Sequence, residues 1–248
     1  MKHIDIYNKL QEWCPTSSMC EGDNAGFLVG EKLDTTTKVL VCLDITTPII
    51  DRAIEIGANL IVTHHPIIWA PLKNVTDSSR VYKLIKNGIS VISCHTNLDM
   101  AKGGVNDTLA KALCLKNIKP LYNDEIGFNS AFGELENEQT VEEFTQFVKQ
   151  KLNTNLRYCK GKTKIKRVAV CGGAGSDMLV PALLNDCDAL VTADLKHSMF
   201  ITAFEKGITL IDAGHYHTEN IIIKPLADYI ASLNIEVYTS DFTPVNIL

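Results

Sequence analysis

The stretch NLIVTHHPIIW, residues 59–69, decides the class of fold. Apolar and β-branched residues lead directly into a pair of histidines, His64 and His65, and then into Pro66. A short buried strand that ends in ligand-type side chains is typical of parallel α/β sheets, where ligands bind beyond the carboxyl ends of the strands. We therefore predict a strand over 59–65 that carries both histidines to a ligand crevice.

Short apolar runs and amphipathic helical patterns alternate on both sides of this stretch, which predicts parallel strands joined by helical crossovers. The first half contains predicted strands at 38–45, 59–65 and 89–96 and helices at 49–58, 78–88 and 105–115. The second half contains predicted strands at 167–173, 188–194, 208–215 and 235–241 and helices at 176–186, 197–207 and 218–233. The last helix is expected to kink at Pro225. Between the halves, residues 121–153 suggest a turn-rich connector and then a helix from about Val141, with a capping box in TVEE at 140–143.

Two pairs of apolar strings recur at one spacing along the chain. Val39 in VLVC and Val168 in VAVC are as far apart as Val62 and Val191 in the next strands. The spacing favours two related α/β halves, 1–125 and 126–248, over chance similarity of buried strands. We expect mixed, mostly parallel sheets with helices packed outside, and the halves packed as one unit with a metal site in the cleft between them.

The composition is that of an ordinary globular protein. Of 248 residues, 46% are hydrophobic and 21% charged, and the net charge of −5 argues against long nucleic acids as partners. No apolar run has transmembrane length, and the first residues lack the apolar core of a signal peptide. The eight cysteines form no CxxC pair, so we expect free thiols and a cytoplasmic location.

Histidines concentrate at or just beyond the predicted strand ends. Six of the seven do so: His64, His65, His95, His197, His215 and His217. With the nearby carboxylates Asp99 and Glu219 they predict a metal site, and mixed imidazole and carboxylate ligands suit Zn, Fe or Mn. So many ligands exceed the needs of one metal with open positions, and two metals bridged by a shared carboxylate and a water would use them well.

The stretch DAGHYHTE, residues 212–219, places His215 and Glu219 four positions apart. If a helix begins near residue 215, the two side chains share one face and His217 points elsewhere. A second motif, SCHTNLDMAKGGVND at 93–107, carries His95 and Asp99 and ends in a glycine pair before a predicted helix. Free amide groups at that helix start could take an anion.

These motifs together resemble the NIF3-like family of dinuclear metal-centre proteins, often described as GTP cyclohydrolase I type 2. LIVTHHPIIW, HTNLDMAKGGVND and DAGHYHTE carry the resemblance, in that order and at matching spacing. DNAGFLVG at 23–30, whose alternative reading is an ordinary turn, is similar to the family's N-terminal element.

The resemblance implies two divalent metals per chain, held by five ligands: His64, His65, Asp99, His215 and Glu219. One histidine of the pair and Asp99 would serve one metal, the other histidine and His215 the second, and Glu219 would bridge. The resemblance also implies a homohexamer.

The leading functional hypothesis is a metal-dependent hydrolase. Its substrate would be a small molecule, for example a nucleotide. In a reaction of the GTP cyclohydrolase type, a metal-bridging water would attack C8 of guanine, open the imidazole ring and release formate. His95 would then be a proton shuttle or an orienter of Asp99, or else a hydrogen-bonded core residue. His197 and His217 would contact substrate or simply lie on the surface. The alternatives are a non-enzymatic metal-binding, metal-delivery or regulatory scaffold protein, and a nucleotide phosphodiesterase.

Overall fold

The computed structural model describes residues 1–123 and 127–246 of the chain. The described residues separate into two compact units. The first comprises Met1–Ala101 together with Ile222–Val245, and the second is built from Lys102–Ile221. The boundary expected between residues 125 and 126 falls outside the described residues.

The elements alternate as the apolar pattern predicts. Those within Met1–Ala101 are α1 (His3–Trp13), β1 (Gly26–Val29), β2 (Lys38–Cys42), α2 (Thr47–Ile56), β3 (Leu60–Thr63), α3 (Arg80–Lys86), β4 (Ser90–Ser93) and α4 (Thr96–Met100). Those within Lys102–Ile221 are α5 (Val105–Ala112), β5 (Lys116–Asn123), β6 (Gly127–Thr140), α6 (Val141–Leu152), β7 (Arg157–Cys159), β8 (Lys164–Ala174), α7 (Leu179–Leu184), β9 (Ala189–Ala193), α8 (His197–Lys206), β10 (Thr209–Asp212) and α9 (His215–Glu219). The chain then returns to the first unit with α10 (Ile223–Ala231) and β11 (Glu236–Ser240).

Each unit contains one mixed sheet. The first has the strand order β1-β4-β3-β2-β11, with β1 antiparallel at one edge and the other strands parallel. The second has the order β5-β6-β8-β9-β10-β7, with β8, β9 and β10 parallel and the outer strands antiparallel. The predicted α/β class with mixed, mostly parallel sheets is confirmed. The parallel set β2-β3-β4 and the set β8-β9-β10 have the same internal order, and each is flanked beside its third strand by a short antiparallel strand.

Alternation along the strands of the second unit explains why helices cover both faces of its sheet. Val168 and Val170 belong to one apolar cluster with residues of α5 and α6, whereas Ala169 and Cys171 belong to another with residues of α7 and α8. Successive side chains on a strand point to opposite faces, so a continuous apolar run such as RVAVC suits a sheet that is covered on both sides.

Two local predictions need correction. The turn-rich connector expected after residue 121 is an antiparallel pair of long strands, β5 and β6. Buried Ala131 and Leu135 alternate there with partly exposed Phe132 and Glu134. Because one face of the strand includes polar residues, the sequence lacks the continuous apolar run that predicts a buried strand. The helix expected over 218–233 is broken into α9, a 3-10 turn at Asn220–Ile222 and α10. The break lies just before Pro225, whose ring lacks an N–H and clashes with the carbonyl four residues earlier.

The capping box at the start of α6 is confirmed. The Thr140 hydroxyl accepts a hydrogen bond from the Glu143 amide at 3.2 Å, and the Glu143 carboxylate accepts one from the Thr140 amide at 2.8 Å. No helix in the described residues is long and apolar enough to cross a membrane.

Candidate metal centre

The ligand-type residues of the first unit lie at one edge of its sheet. Strands β2, β3 and β4 are adjacent and parallel, so their carboxyl ends meet at that edge. His64 and His65 follow β3 directly, His95 follows β4, and Asp99 lies in the next helix, α4. His64 is fully buried and Asp99 is 9% exposed. As predicted, both histidines that follow β3 therefore lie at the edge where the carboxyl ends of the strands meet.

The three histidines form a cluster that could hold a metal ion. One ligand atom from each of His64, His65 and His95 lies within 4.8 Å of the others. Their ring centroids are 5.0 to 5.7 Å apart. A carboxylate oxygen of Asp99 is 3.6 Å from Nε2 of His64. Imidazole nitrogens beside a carboxylate are a donor set that Zn, Fe and Mn accept, so these residues fit a divalent metal.

Each histidine ring is oriented through its Nδ1 atom. The acceptors, all at 2.8 Å, are the Cys94 carbonyl for His64, the Asp44 carboxylate for His65 and the Asp23 carboxylate for His95. A ring that donates from Nδ1 carries its lone pair on Nε2, and a carboxylate or carbonyl partner of this kind is what metal-ligating histidines have. The acceptors thus prepare three Nε2 atoms for a cation.

Asp23 orients His95 but is not evident from the sequence, because its motif is also readable as a turn. Its side chain is 3% exposed, and it accepts hydrogen bonds from the Thr96 hydroxyl and, at 3.2 Å, from the Thr96 amide. Burial opposes its ionisation, but the bonds from His95 and Thr96 hold the pKa of Asp23 well below its usual range. Only the tertiary pairing of β1 with β4 places the residues before β1 beside the end of β4, so no local pattern identifies Asp23.

Burial favours the neutral form of the His95 imidazole. Burial lowers its pKa below the ordinary value and outweighs the hydrogen bond with Asp23, which raises it; the neighbouring histidines lower it further. A neutral ring is the form that can bind a metal or accept a proton.

The second unit carries its own histidine and carboxylate pair. His215 begins α9 three residues after the last residue of β10, and Glu219 follows one turn later with 4% of its surface exposed. Nε2 of His215 is 2.9 Å from Oε2 of Glu219, which confirms that the two share one helix face. Nδ1 of His215 is 2.7 Å from the Asp194 carboxylate, at the end of β9. The ring is again oriented through Nδ1.

Negative charge dominates the surroundings of His215. Burial alone would lower its pKa, but hydrogen bonds and charge attraction from Glu219 and Asp194 outweigh this and raise the pKa of His215 to about 9. The same carboxylates would also attract a metal cation, and a cation that binds His215 displaces its proton.

A glycine at the end of β8 leaves room for the Glu219 carboxylate. A Cβ built on Gly173 would lie 2.2 Å from Oε1 of Glu219 and 3.1 Å from Nε2 of His215. Its backbone is held in the left-handed region, with φ of +62°, and its amide and carbonyl bond to the hydroxyls of Thr218 and Thr192 at 3.0 Å. Only glycine fits this cradle.

The two units share one arrangement of a histidine and a carboxylate. His95 precedes Asp99 by four residues, as His215 precedes Glu219, and in both pairs Nδ1 of the histidine faces an aspartate. The two sheets share their strand order, and the residues that follow the third parallel strand of each sheet are similar as well.

Other singled-out residues do not join these groups. His197 lies exposed at the start of α8. His217 has a pKa lowered by burial, partly offset by a hydrogen bond with the backbone of Leu152. The Gly103 amide, expected to be available to an anion, donates to the Asp107 carboxylate at 2.7 Å. The Asp107 carboxylate therefore takes the place of the anion that was expected to bind this amide.

A family model described as Duf34/NIF3 (NGG1p interacting factor 3) matches residues 1–245. The chain belongs to the NIF3 family. Its NIF3 relatives include a Clostridium perfringens protein, 34% identical over 230 residues that cover 88% of this chain and 87% of that one. Another, from Methanocaldococcus jannaschii, is 34% identical over 251 residues, covering 98% of this chain and all of the relative. Both bear the name GTP cyclohydrolase 1 type 2 homolog.

Solved structures agree with the NIF3 assignment. The Staphylococcus aureus hypothetical protein SA1388 has a TM-score of 0.91 at 29% identity and covers 100% of this chain and 99% of its own. Reduced HcgD from Methanocaldococcus jannaschii has a TM-score of 0.84 at 32% identity, with 98% of both chains covered. The fold of the NIF3 family therefore spans the whole chain.

Proposed function

We propose that this protein is a dinuclear metal-dependent hydrolase. The observation that carries the proposal is the grouping of ligand-type histidines beside buried carboxylates, which is found in both units. The rings of His64, His65, His95 and His215 each face a carbonyl or carboxylate through Nδ1, an orientation compatible with a metal at Nε2. Buried carboxylates beside two of them supply the negative charge that a divalent cation needs.

The proposed ligands of two divalent ions are His64, His65, Asp99, His215 and Glu219. The family resemblance leaves open which histidine of the pair shares a metal with Asp99. The 3.6 Å approach of Asp99 to Nε2 of His64 supports His64 for that metal. On the family resemblance, His65 and His215 would then hold the second metal, and Glu219 would be a ligand common to both. The donor set suits Zn, Fe or Mn.

When bound, such metals lower the pKa of an attached water and so supply a nucleophile at neutral pH. This chain's own residues orient the ligands and move protons. We propose His95 as the residue that takes up or delivers a proton, because its ring lies beside those of His64 and His65 and its Nδ1 is anchored on Asp23.

The proposed substrate is a small molecule of the nucleotide class. Support comes from the name GTP cyclohydrolase 1 type 2 homolog that the relatives bear. In a reaction of that type, one water adds to C8 of guanine and opens the imidazole ring to a formamide, and a second water hydrolyses the formamide and releases formate. We further propose a homohexamer in the cytoplasm, on the family resemblance and the acidic, cysteine-containing composition.

Turnover of a nucleotide panel tests the proposal. Protein loaded in turn with Zn, Fe(II) and Mn is incubated with GTP, GDP, guanosine, ATP and a phosphodiester reporter, and formate and phosphate are measured. We expect formate from guanine nucleotides with one of the metals and none from Glu219→Gln. His217→Ala is the matched control, since this histidine is bonded to the Leu152 backbone, and it should keep full turnover.

Two outcomes would contradict the hydrolase proposed here. Phosphodiester cleavage without formate would favour a phosphodiesterase. Metal-loaded protein that binds its metals tightly and converts no member of the panel would favour a metal-binding or scaffold role.

A further inference from the structure

Trp69 is a large apolar side chain that the fold does not bury. It lies four residues after His65, in a segment where residues 69–78 are almost all exposed, and 60% of its own surface is exposed. The other tryptophan of the chain, Trp13, packs instead against the Tyr229 ring at a centroid distance of 4.9 Å. An exposed tryptophan contributes little to a hydrophobic core, so its exposure indicates a role in binding.

The indole lies against the histidine cluster of the same unit. Its centroid is 4.9 Å from that of His95, with the two ring planes at 89°, and 6.3 Å from that of His65. The contact with His95 positions the indole at the edge of the cluster, because that imidazole is itself anchored by Asp23 at 2.8 Å. An exposed aromatic surface thus stands beside the residues proposed to carry the chemistry.

We propose that Trp69 is a specificity-determining residue that stacks on a planar heteroaromatic ring of the substrate, such as a purine. This inference rests on the proposed function, since it concerns the substrate of that same site. A ring laid on the indole would lie at the edge of the histidine cluster. Stacking of a base on an aromatic side chain is tolerant of base identity and excludes molecules that lack a ring.

Fluorescence of Trp69 tests this proposal without any need for turnover. In the Trp13→Phe variant, Trp69 is the only tryptophan of the chain. The zinc-loaded variant is titrated with guanosine and GTP and, as ring-free probes, with ribose 5-phosphate and inorganic tripolyphosphate. We expect saturable quenching by guanosine and GTP, and no more than a small change with the ring-free probes.

Substitutions at the same position give a second measurement. Trp69→Ala is expected to weaken guanosine binding, measured by calorimetry, by about 5- to 150-fold, the range that corresponds to a lost base stack. Trp69→Phe should recover most of the affinity, because the aromatic face is kept. Leu72→Ala is the matched control in the same exposed segment and should bind guanosine as the parent does.

Several outcomes would overturn the proposal. Equal quenching by tripolyphosphate and GTP would show that the phosphates, not the ring, meet the indole. Unchanged guanosine affinity in Trp69→Ala, with an altered elution volume in size-exclusion chromatography, would make Trp69 a contact between copies of the chain. Metal content and formate release are measured on the same variants. Loss of formate release with ring-dependent quenching intact would contradict only the hydrolase, whereas formate release without quenching would contradict only the role of Trp69.

Discussion

Replacing Gly173 with alanine is expected to abolish tight metal binding while leaving the protein folded. The added Cβ would meet Oε1 of Glu219 at 2.2 Å and its Cδ at 3.0 Å, so the carboxylate must move. A side-chain end can move at modest cost to folding. A displacement of about 1 Å at a preorganised site, however, costs about two orders of magnitude. We therefore expect metal affinity in Gly173→Ala to fall by about 100-fold.

Gly57 provides the matched control. It also has a left-handed backbone, with φ of +72°, but a Cβ there meets nothing within 4 Å. Both substitutions carry the cost of an L-residue in that region, about 1–2 kcal/mol in the free energy of unfolding. Metal titration and chemical denaturation of both variants separate the two effects. Equal metal affinity in Gly173→Ala and Gly57→Ala would show that Glu219 does not bind metal from this cradle.

The second large effect is expected from Asp99→Asn, which keeps the shape of the side chain and removes its charge. Asp99 is nearly buried and lies 3.6 Å from Nε2 of His64, so the charge it brings is available to a shared cation. Loss of an outer partner of a metal ligand already costs about 10- to 100-fold in affinity. Loss of an anionic ligand is expected to cost more than about 100-fold, measured by competition with a chelator of known affinity.

Asp107→Asn is the control for Asp99→Asn. The Asp107 carboxylate accepts a hydrogen bond from the Gly103 amide at 2.7 Å at the start of α5, a local structural role. This variant should retain its metal and lose at most about 1 kcal/mol of stability. Similar losses of metal in both variants would mean that the effect arises from general weakening of the fold.

The residues that follow strands were the part of the site that the sequence could predict. His64, His65 and His215 stand within three residues of the ends of apolar strands, and local patterning is enough to place them there. The one-turn spacing of His215 and Glu219 is likewise a local property, and their 2.9 Å approach follows from helix geometry.

The supporting residues could not be predicted, because tertiary structure brings them to the histidines. Asp23 is 72 positions from His95 along the chain, and only the antiparallel pairing of β1 with β4 brings them together. Asp194 follows a strand as the histidines do, but an aspartate after a strand is too common to signal a role. Gly173 is similar: its importance lies in the space that Glu219 occupies, which no local pattern reveals.

The fold shows the same division between local and distant information. A strand over 235–241 was predicted from its own residues, whereas its pairing with β2 depends on the chain's return to the first sheet. The antiparallel strands β5 and β6 were missed because one of their faces is polar, so their apolar content falls below that of a buried parallel strand.

Metal content per chain tests the central claim most directly. Elemental analysis of protein purified without a metal-affinity tag, with His65→Ala and Glu219→Ala prepared in parallel, needs no knowledge of the substrate. The account predicts close to two divalent ions per chain in the parent and loss of metal in both variants. One tightly held ion or none in the parent, unaffected by either substitution, would contradict it.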